Sequence, residues 1–312
     1  MGGGGAVSGT DSGHRELVKE VHAPMKAESG PTAFVLSGGG SLGAVEVGML
    51  RALAERGVRP DLIVGSSVGA INSVFFAADP TVEGVWRLER IWRGLRREDV
   101  FPIGLFGVLR WLAGRRGHLL DPAPLQRLLR DHLPIEDLAR AAVPACVVAT
   151  DLLRGAEVRL RAGPAIPALL ASTAIPGLFP PVPIEGRLLV DGAVANHTPI
   201  STAIALGAVR VIVLPAGYPC ARAEAPGGTL STMLHALNVL TAQQLARDVE
   251  RFRDAVMLRV VPPLCPLTLA AYDFSGVKEV MDRAAATTGA WLDAGGLTRP
   301  PAQEPLAPHS HV

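Results

Sequence analysis

Two short apolar runs, TAFVLS at residues 32–37 and DLIVG at residues 61–65, each close in a glycine turn and lead into a helical pattern. That repeated order constrains the fold more than any other feature. Parallel strands cannot be joined by a tight hairpin; they need a crossover, and the crossover helix then covers a face of the sheet. PACVVAT (144–150), RLLV (187–190) and VRVIVLP (209–215) continue the strand series. Helical patterns fall at residues 44–56, 199–206 and 229–256, with a last one ending near Asp293 and Ser275 as its cap. Gly57 suits the left-handed position after the first helix, and Asp121–Pro122 makes a good helix start. The expected fold is α/β, a mostly parallel central sheet covered by helices on both faces. The 312 residues, 48% of them hydrophobic, are enough for one large core. Residues 31–297 read as a single domain. The segments 1–30 and 298–312 lack periodicity and are expected to be disordered tails.

A net charge of +1 gives no electrostatic reason to expect nucleic acid as a partner. Cys146, Cys220 and Cys265 show neither CxxC nor metal-ligand spacing. So sparse and odd a set argues against a disulfide framework and suits a reducing compartment. No grouping of His, Asp, Glu or Cys suggests a metal, and no cofactor is expected. No apolar run reaches the roughly 18 residues of a membrane span, and no secretory signal opens the chain. Gly2 lacks the Ser or Thr at position 6 that myristoylation requires. These readings predict a cytoplasmic protein, with peripheral contact at the inner face of a membrane left open.

Three glycine-linked stretches carry the chemistry. In VLSGGGSLGAVEVGML (35–50), Gly38, Gly40 and Gly43 fit G-x-G-x-x-G between a strand and a helix, with Asp61 downstream. In a dinucleotide site, however, the acid follows the second strand, whereas Asp61 precedes it and falls at the opposite edge of the sheet. In IVGSSVGAIN (63–72), Gly65 to Gly69 form G-x-S-x-G directly after a strand, the context of a nucleophile elbow; an ordinary strand–helix turn would read the same way. In RLLVDGAVANHTP (187–199), Asp191–Gly192 is first of all a hairpin signal. Beside Ser67, Asp191 also becomes a candidate base for the hydroxyl proton.

Taken together, GGGSLG, GSSVG and DGA in this order resemble the patatin-like phospholipase family, as does the stretch ASTAIPGLFPPV (171–182). The resemblance covers residues 32–214 and implies a three-layer sandwich and a serine acyl hydrolase acting on lipid. It implies Ser67 as nucleophile and Asp191 as its partner in a dyad. It also implies an oxyanion hole at Gly38, Gly39 and Gly40, with the Val68 N–H at the start of the helix. The family's loop often carries Arg or Lys where this chain has Leu42; backbone donors do not need that side chain.

His197 follows Asp191 by six residues, so the order Ser, Asp, His of a triad is available. The dyad implied by the resemblance makes His197 a packing residue instead. Residues 101–114, FPIGLFGVLRWLAG, suit an acyl pocket, an interfacial flap or plain core packing. Residues 85–97 are amphipathic at helical spacing: Val85, Leu88, Ile91, Trp92 and Leu95 share one arc, Arg87, Arg90, Arg93 and Arg97 another. A basic face with Trp86 suits anionic headgroups, and it equally suits water. The expected partner is a lipid or phospholipid substrate. A short-chain carboxylesterase and a non-catalytic lipid-binding relative remain the alternatives.

Overall fold

The central strands are buried at every position, and their successive residues alternate between two core layers, one on each face of the sheet. The computed structural model describes residues 30–102, 117–217, 229–267 and 269–299, besides Met1. Eight strands form one sheet: β1 (Thr32–Leu36), β2 (Leu62–Ser66), β3 (Ala145–Asp151), β4 (Ala156–Leu160), β5 (Val182–Ile184), β6 (Arg187–Asp191), β7 (Arg210–Leu214) and β8 (Met257–Val260). The order is β5-β6-β3-β2-β1-β7-β8, with β4 also paired to β3. The five strands β3, β2, β1, β7 and β8 run parallel, while β4 and β6 pair antiparallel with β3 and β5 pairs antiparallel with β6.

The described helices are α1 (Gly43–Glu55), α2 (Val68–Ala78), α3 (Val82–Gly94), α4 (Arg97–Val100), α5 (Ala123–His132), α6 (Ala165–Ser172), α7 (Ala193–Asn196), α8 (Ile200–Ala205), α9 (Thr229–Phe252) and α10 (Val277–Asp293). One sheet face, with Phe34, Leu36, Ile63 and Val147, packs against α1, α2, α3, α5, α6 and α10. The other, with Ala33, Val35, Val64 and Val148, packs against α8 and α9 through Ile200, Ala203 and Leu245. This is the three-layer α/β sandwich that the strand–helix order predicts. Thr81 caps α3, accepting from the Gly84 N–H at 3.0 Å. Val85, Leu88 and Trp92 are the buried face of that helix.

Several local expectations differ from the structure. Asp191–Gly192 is not a hairpin: β6 ends there and α7 follows, while the hairpin turn falls at Glu185 and Gly186, between β5 and β6. Ser275 does not cap α10, whose N-cap is Gly276; the Ser275 N–H and hydroxyl both bond Asp273 instead. Cys265 is disulfide-bonded, so the cysteines no longer argue for a reducing compartment; Cys146 is free and buried. The tails at residues 2–29 and 300–312, and the apolar segment 103–116, lie outside the described residues. Among the described residues, no helix is long and apolar enough to cross a membrane, and no group of three His, Cys, Asp or Glu could hold a metal.

The closest helix packing in the first layer is set by one glycine. A Cβ on Gly48 of α1 would strike the Met281 carbonyl of α10 and lie 2.9 Å from the Ala284 Cβ. Neither neighbour is a flexible side-chain end, so Gly48→Ala must push two helices apart. Its expected cost is about 1–3 kcal/mol, read as a lower thermal midpoint with unchanged activity per folded molecule. An unshifted midpoint would show that the helices separate freely.

Candidate active site

The site exists because two strands share one edge of β3. Ile63 to Ser66 of β2 pair in parallel with Ala145 to Val148, and β6 pairs antiparallel with the remainder, Asp191 opposite Ala149. β4 pairs with residues Val147 to Asp151 and so takes the other edge along both stretches. β2 and β6 are therefore aligned end to end, and Asp191 arrives just beyond Ser66. Parallel sheets present their ligand sites beyond the carboxyl ends of the strands, and Ser67 stands at such an end.

Ser67 is the one residue between β2 and α2, and it makes the whole turn with φ 55° and ψ −128°. Such a conformation is costly for a residue with a side chain and persists only where its surroundings enforce it. The flanking glycines allow the turn. A Cβ on Gly65 would meet the Gly69 backbone and lie 2.5 Å from Ser73 Oγ, and one on Gly69 would strike the Ser37 carbonyl. Ser172, the last residue of α6, fixes the turn from below: it accepts from the Ser67 N–H at 2.9 Å and donates to the Val148 carbonyl at 2.6 Å. Sequence reasoning gave Ser172 no role, although it sits in the ASTAIP stretch.

Ser67 Oγ donates to Asp191 Oδ2 at 2.7 Å. The other carboxylate oxygen accepts from the Ala193 N–H at 2.8 Å. Asp191 is buried, and burial pushes its carboxyl up to about 6, against the opposing pull of the Ala193 and Ser67 hydrogen bonds. Gly192 has an ordinary helical φ of −62° and is needed for space, since a Cβ there would strike the Val148 carbonyl. Thr150 Oγ1 donates to the Asp191 carbonyl at 2.8 Å, completing the strand end.

The glycine loop lies directly beside this pair. A Cβ on Gly38 would come 3.2 Å from Ser67 Cβ. The Gly38 N–H donates to the His197 carbonyl at 3.3 Å, whereas among the described residues the N–H groups of Gly39, Gly40 and Val68 bond no acceptor. Leu42 turns inward and is buried, so this loop position offers no cation. The loop is strapped by a chain segment that sequence reasoning left out. Ser41 donates through its N–H to Ala271 and through its hydroxyl to Ala270, each at 2.8 Å.

His197 packs its ring across Gly38 but bonds neither Ser67 nor Asp191. Its Nδ1 is sealed from solvent without a partner, and burial lowers the imidazole to about 4, which keeps it neutral. An apolar cleft opens at Ser67, with Gly40 and Val68 at its polar end and Phe75, Trp92, Leu125 and Phe179 among its walls. It encloses about 710 Å³ of empty space, its open mouth included. Phe101, from the apolar stretch singled out in the sequence, also lines it.

The four arginines of residues 87–97 do not form a free basic face. Arg87 pairs with Asp79, Arg93 pairs with Glu89 and Asp282, and Arg97 lies over the Tyr272 ring at 5.6 Å. Among the described residues Arg90 alone of the four has no such partner.

A patatin-like phospholipase domain-containing protein of Caenorhabditis elegans is 33% identical over 191 residues, which span 59% of this chain and 16% of that protein. An uncharacterized NTE family protein of Mycobacterium tuberculosis is 28% identical over 295 residues, 90% of this chain and 72% of that one. VipD from Legionella pneumophila superposes with a TM-score of 0.46 at 14% identity, covering 85% of this chain and 67% of that chain. The family model for patatin-like phospholipase matches residues 34–204, more than half of the chain. The protein belongs to the patatin-like phospholipase family.

Proposed function

We propose that this protein is a serine acyl hydrolase that cleaves carboxylic ester bonds of lipids through Ser67 and Asp191. The observation that carries the reading is the 2.7 Å hydrogen bond from Ser67 Oγ to Asp191, at the head of an apolar cleft. Asp191 takes the hydroxyl proton as Ser67 Oγ attacks the ester carbonyl carbon. The carbonyl oxygen becomes an oxyanion, and the unoccupied N–H groups of Gly39, Gly40 and Val68 are its donors, aided by the positive end of α2. Gly38, with its N–H turned to His197, serves close approach. As the C–O bond breaks, Asp191 returns the proton to the leaving alcohol and leaves an acyl ester on Ser67. Water then attacks that ester with Asp191 again as base; the bond from the acyl carbon to Ser67 Oγ breaks, Asp191 returns the proton to Ser67 Oγ, and the fatty acid departs.

Lipid as substrate class rests on family membership and on the cleft, whose walls can bury an acyl chain but offer it few polar partners. Contact with a membrane or micelle surface follows from the substrate; the α3 arginines do not supply it, because most of them are already partnered.

Ser67 should be the residue labelled by a fluorophosphonate probe, and Ser67→Ala should abolish both labelling and ester hydrolysis without loss of fold. Ser66→Ala is the control, since Ser66 Oγ is buried and bonds nothing in the site. Near-wild-type hydrolysis by Ser67→Ala would sink the assignment. Chain length separates lipid from short esters. Each methylene buried in the cleft is worth about 0.8 kcal/mol, roughly fourfold in kcat/KM, until the cleft is filled. A flat or falling series would make the protein a short-chain carboxylesterase.

The Asp191 carboxyl also sets a pH dependence. It acts as a base only when ionised, so kcat/KM should rise through about pH 6 and level off above it. Its folded pKa lies above the unfolded value, so the folded state binds the proton more tightly. This group therefore stabilises the fold at low pH, and that contribution is lost as pH rises from about 4 to about 6. Asp191→Asn keeps an oxygen for the Ala193 N–H, donates to Ser67 Oγ and removes a buried charge. It should melt no lower than the wild type at pH 8 while hydrolysis collapses. A lower midpoint with activity per folded molecule retained would make Asp191 a structural residue.

A further inference from the structure

Beneath the glycine loop lies a chain of buried polar side chains that the proposed mechanism does not use. Glu46 of α1 and Asn72 of α2 are both fully buried. Glu46 Oε1 accepts from the Ser37 N–H at 2.8 Å, and Oε2 accepts from Asn72 Nδ2 at 2.9 Å. The same Asn72 Nδ2 donates to the Gly43 carbonyl at 3.0 Å. Trp92 Nε1, which can only donate, meets Asn72 Oδ1 at 3.0 Å and thereby fixes which way the amide faces. Ser37 Oγ in turn accepts from the Ala216 N–H at 2.8 Å, at the end of β7.

Ser37 immediately precedes Gly38, and Gly43 immediately follows Leu42, so the two side chains grip the loop at both ends. One of them comes from the helix that begins at Ser67. A buried polar group costs stability unless each of its bonding sites is matched, and here Asn72 uses both of its hydrogens and its oxygen. Burial pushes the Glu46 carboxyl well above the usual range, while the donors from Asn72 and Ser37 pull the other way. The arrangement is directional: Glu46 receives, Asn72 gives to Glu46 and to Gly43, and Trp92 gives to Asn72. Trp92 is also part of the cleft wall.

We propose that Glu46 and Asn72 are positioning residues that hold the glycine loop in register with Ser67, and that Trp92 ties this brace to the wall of the acyl cleft. The proposal rests on the catalytic reading of Ser67. Glu46 and Asn72 do not line the cleft, so they act on the reaction through the loop and not through substrate contact.

The test is a reversal of bond polarity at constant shape. Asn72→Asp sets a carboxylate against two acceptors, Glu46 Oε2 and the Gly43 carbonyl. Glu46→Gln sets an amide N–H against a donor and loses a single bond. In the double variant, the amide introduced at 46 donates to the carboxylate introduced at 72, and its oxygen still accepts from Ser37. Each variant is assayed with a long-chain p-nitrophenyl ester, with fluorophosphonate labelling of Ser67, and by amide hydrogen exchange over residues 37–43. The expected result for Asn72→Asp is a kcat lower by about 10- to 100-fold with KM within about twofold, slower labelling and faster exchange. Glu46→Gln should show a smaller loss of the same kind, and the double variant should recover much of the kcat lost in Asn72→Asp.

Unchanged exchange and kcat in folded Asn72→Asp would overturn the proposal, as would a double variant no better than the product of the single losses. Should Asn72→Asp fail to fold, the milder Glu46→Gln carries the same comparison. If wild-type Ser67 takes no label at all, the catalytic reading fails, while hydrogen exchange still decides whether the brace orders the loop.

Discussion

Everything at this site depends on β3 being longer than β2. β2 leaves the β3 edge after Val148, and the vacant stretch from Ala149 to Asp151 is taken by β6 from the opposite direction. Backbone hydrogen bonding thus brings two residues 124 positions apart within 2.7 Å of one another, with no loop required to find the right pose. Strand register is a stiff coordinate, since a slip of one residue would turn Asp191 to the other face of the sheet.

Around that register the structure stores strain and buried polarity, and it offsets both locally. The Ser67 backbone is held in a disfavoured conformation by Ser172 below and two glycines beside it. Burial raises the proton affinity of the Asp191 carboxyl, and the hydrogen bonds from Ala193 and Ser67 offset part of that rise. An apolar cleft next to such a carboxylate is costly for folding and favourable for acyl transfer, because donors and charges act more strongly where water is excluded. The neutral His197 shows the same environment at work. Burial keeps its imidazole uncharged, so no second charge competes beside the glycine loop.

Where reading along the chain fell short, the cause was a partner distant in sequence. Asp-Gly has high intrinsic preference for a hairpin, and that preference lost to the packing of Gly192 against Val148. The arginines at 87, 93 and 97 have helical spacing that suits a basic face. Asp79, Asp282 and Tyr272, which occupy them, lie up to 189 positions away. Glu46 stands in the first turn of α1 with no motif to mark it, and its partners Ser37 and Asn72 are brought to it only by the fold. Ser172 and the Ala270–Ala271 strap carry no chemistry of their own to notice, because the contribution of each is a pair of hydrogen bonds to residues elsewhere in the chain.

The chain by itself determined the α/β class, because strand–glycine–helix repeats admit few other arrangements. It also marked Ser67 as the turn between a strand and a helix, since G-x-S-x-G after a strand is a local requirement of backbone space. The family likewise stands on short blocks whose order survives in the linear text. Tertiary structure alone decided that Asp191 meets Ser67, that the N–H of Gly38 is engaged while those of Gly39, Gly40 and Val68 are not, and that the arginines are largely spent in pairs. These depend on strand order, register and burial, which are properties of distances through space between segments that sequence separation does not encode.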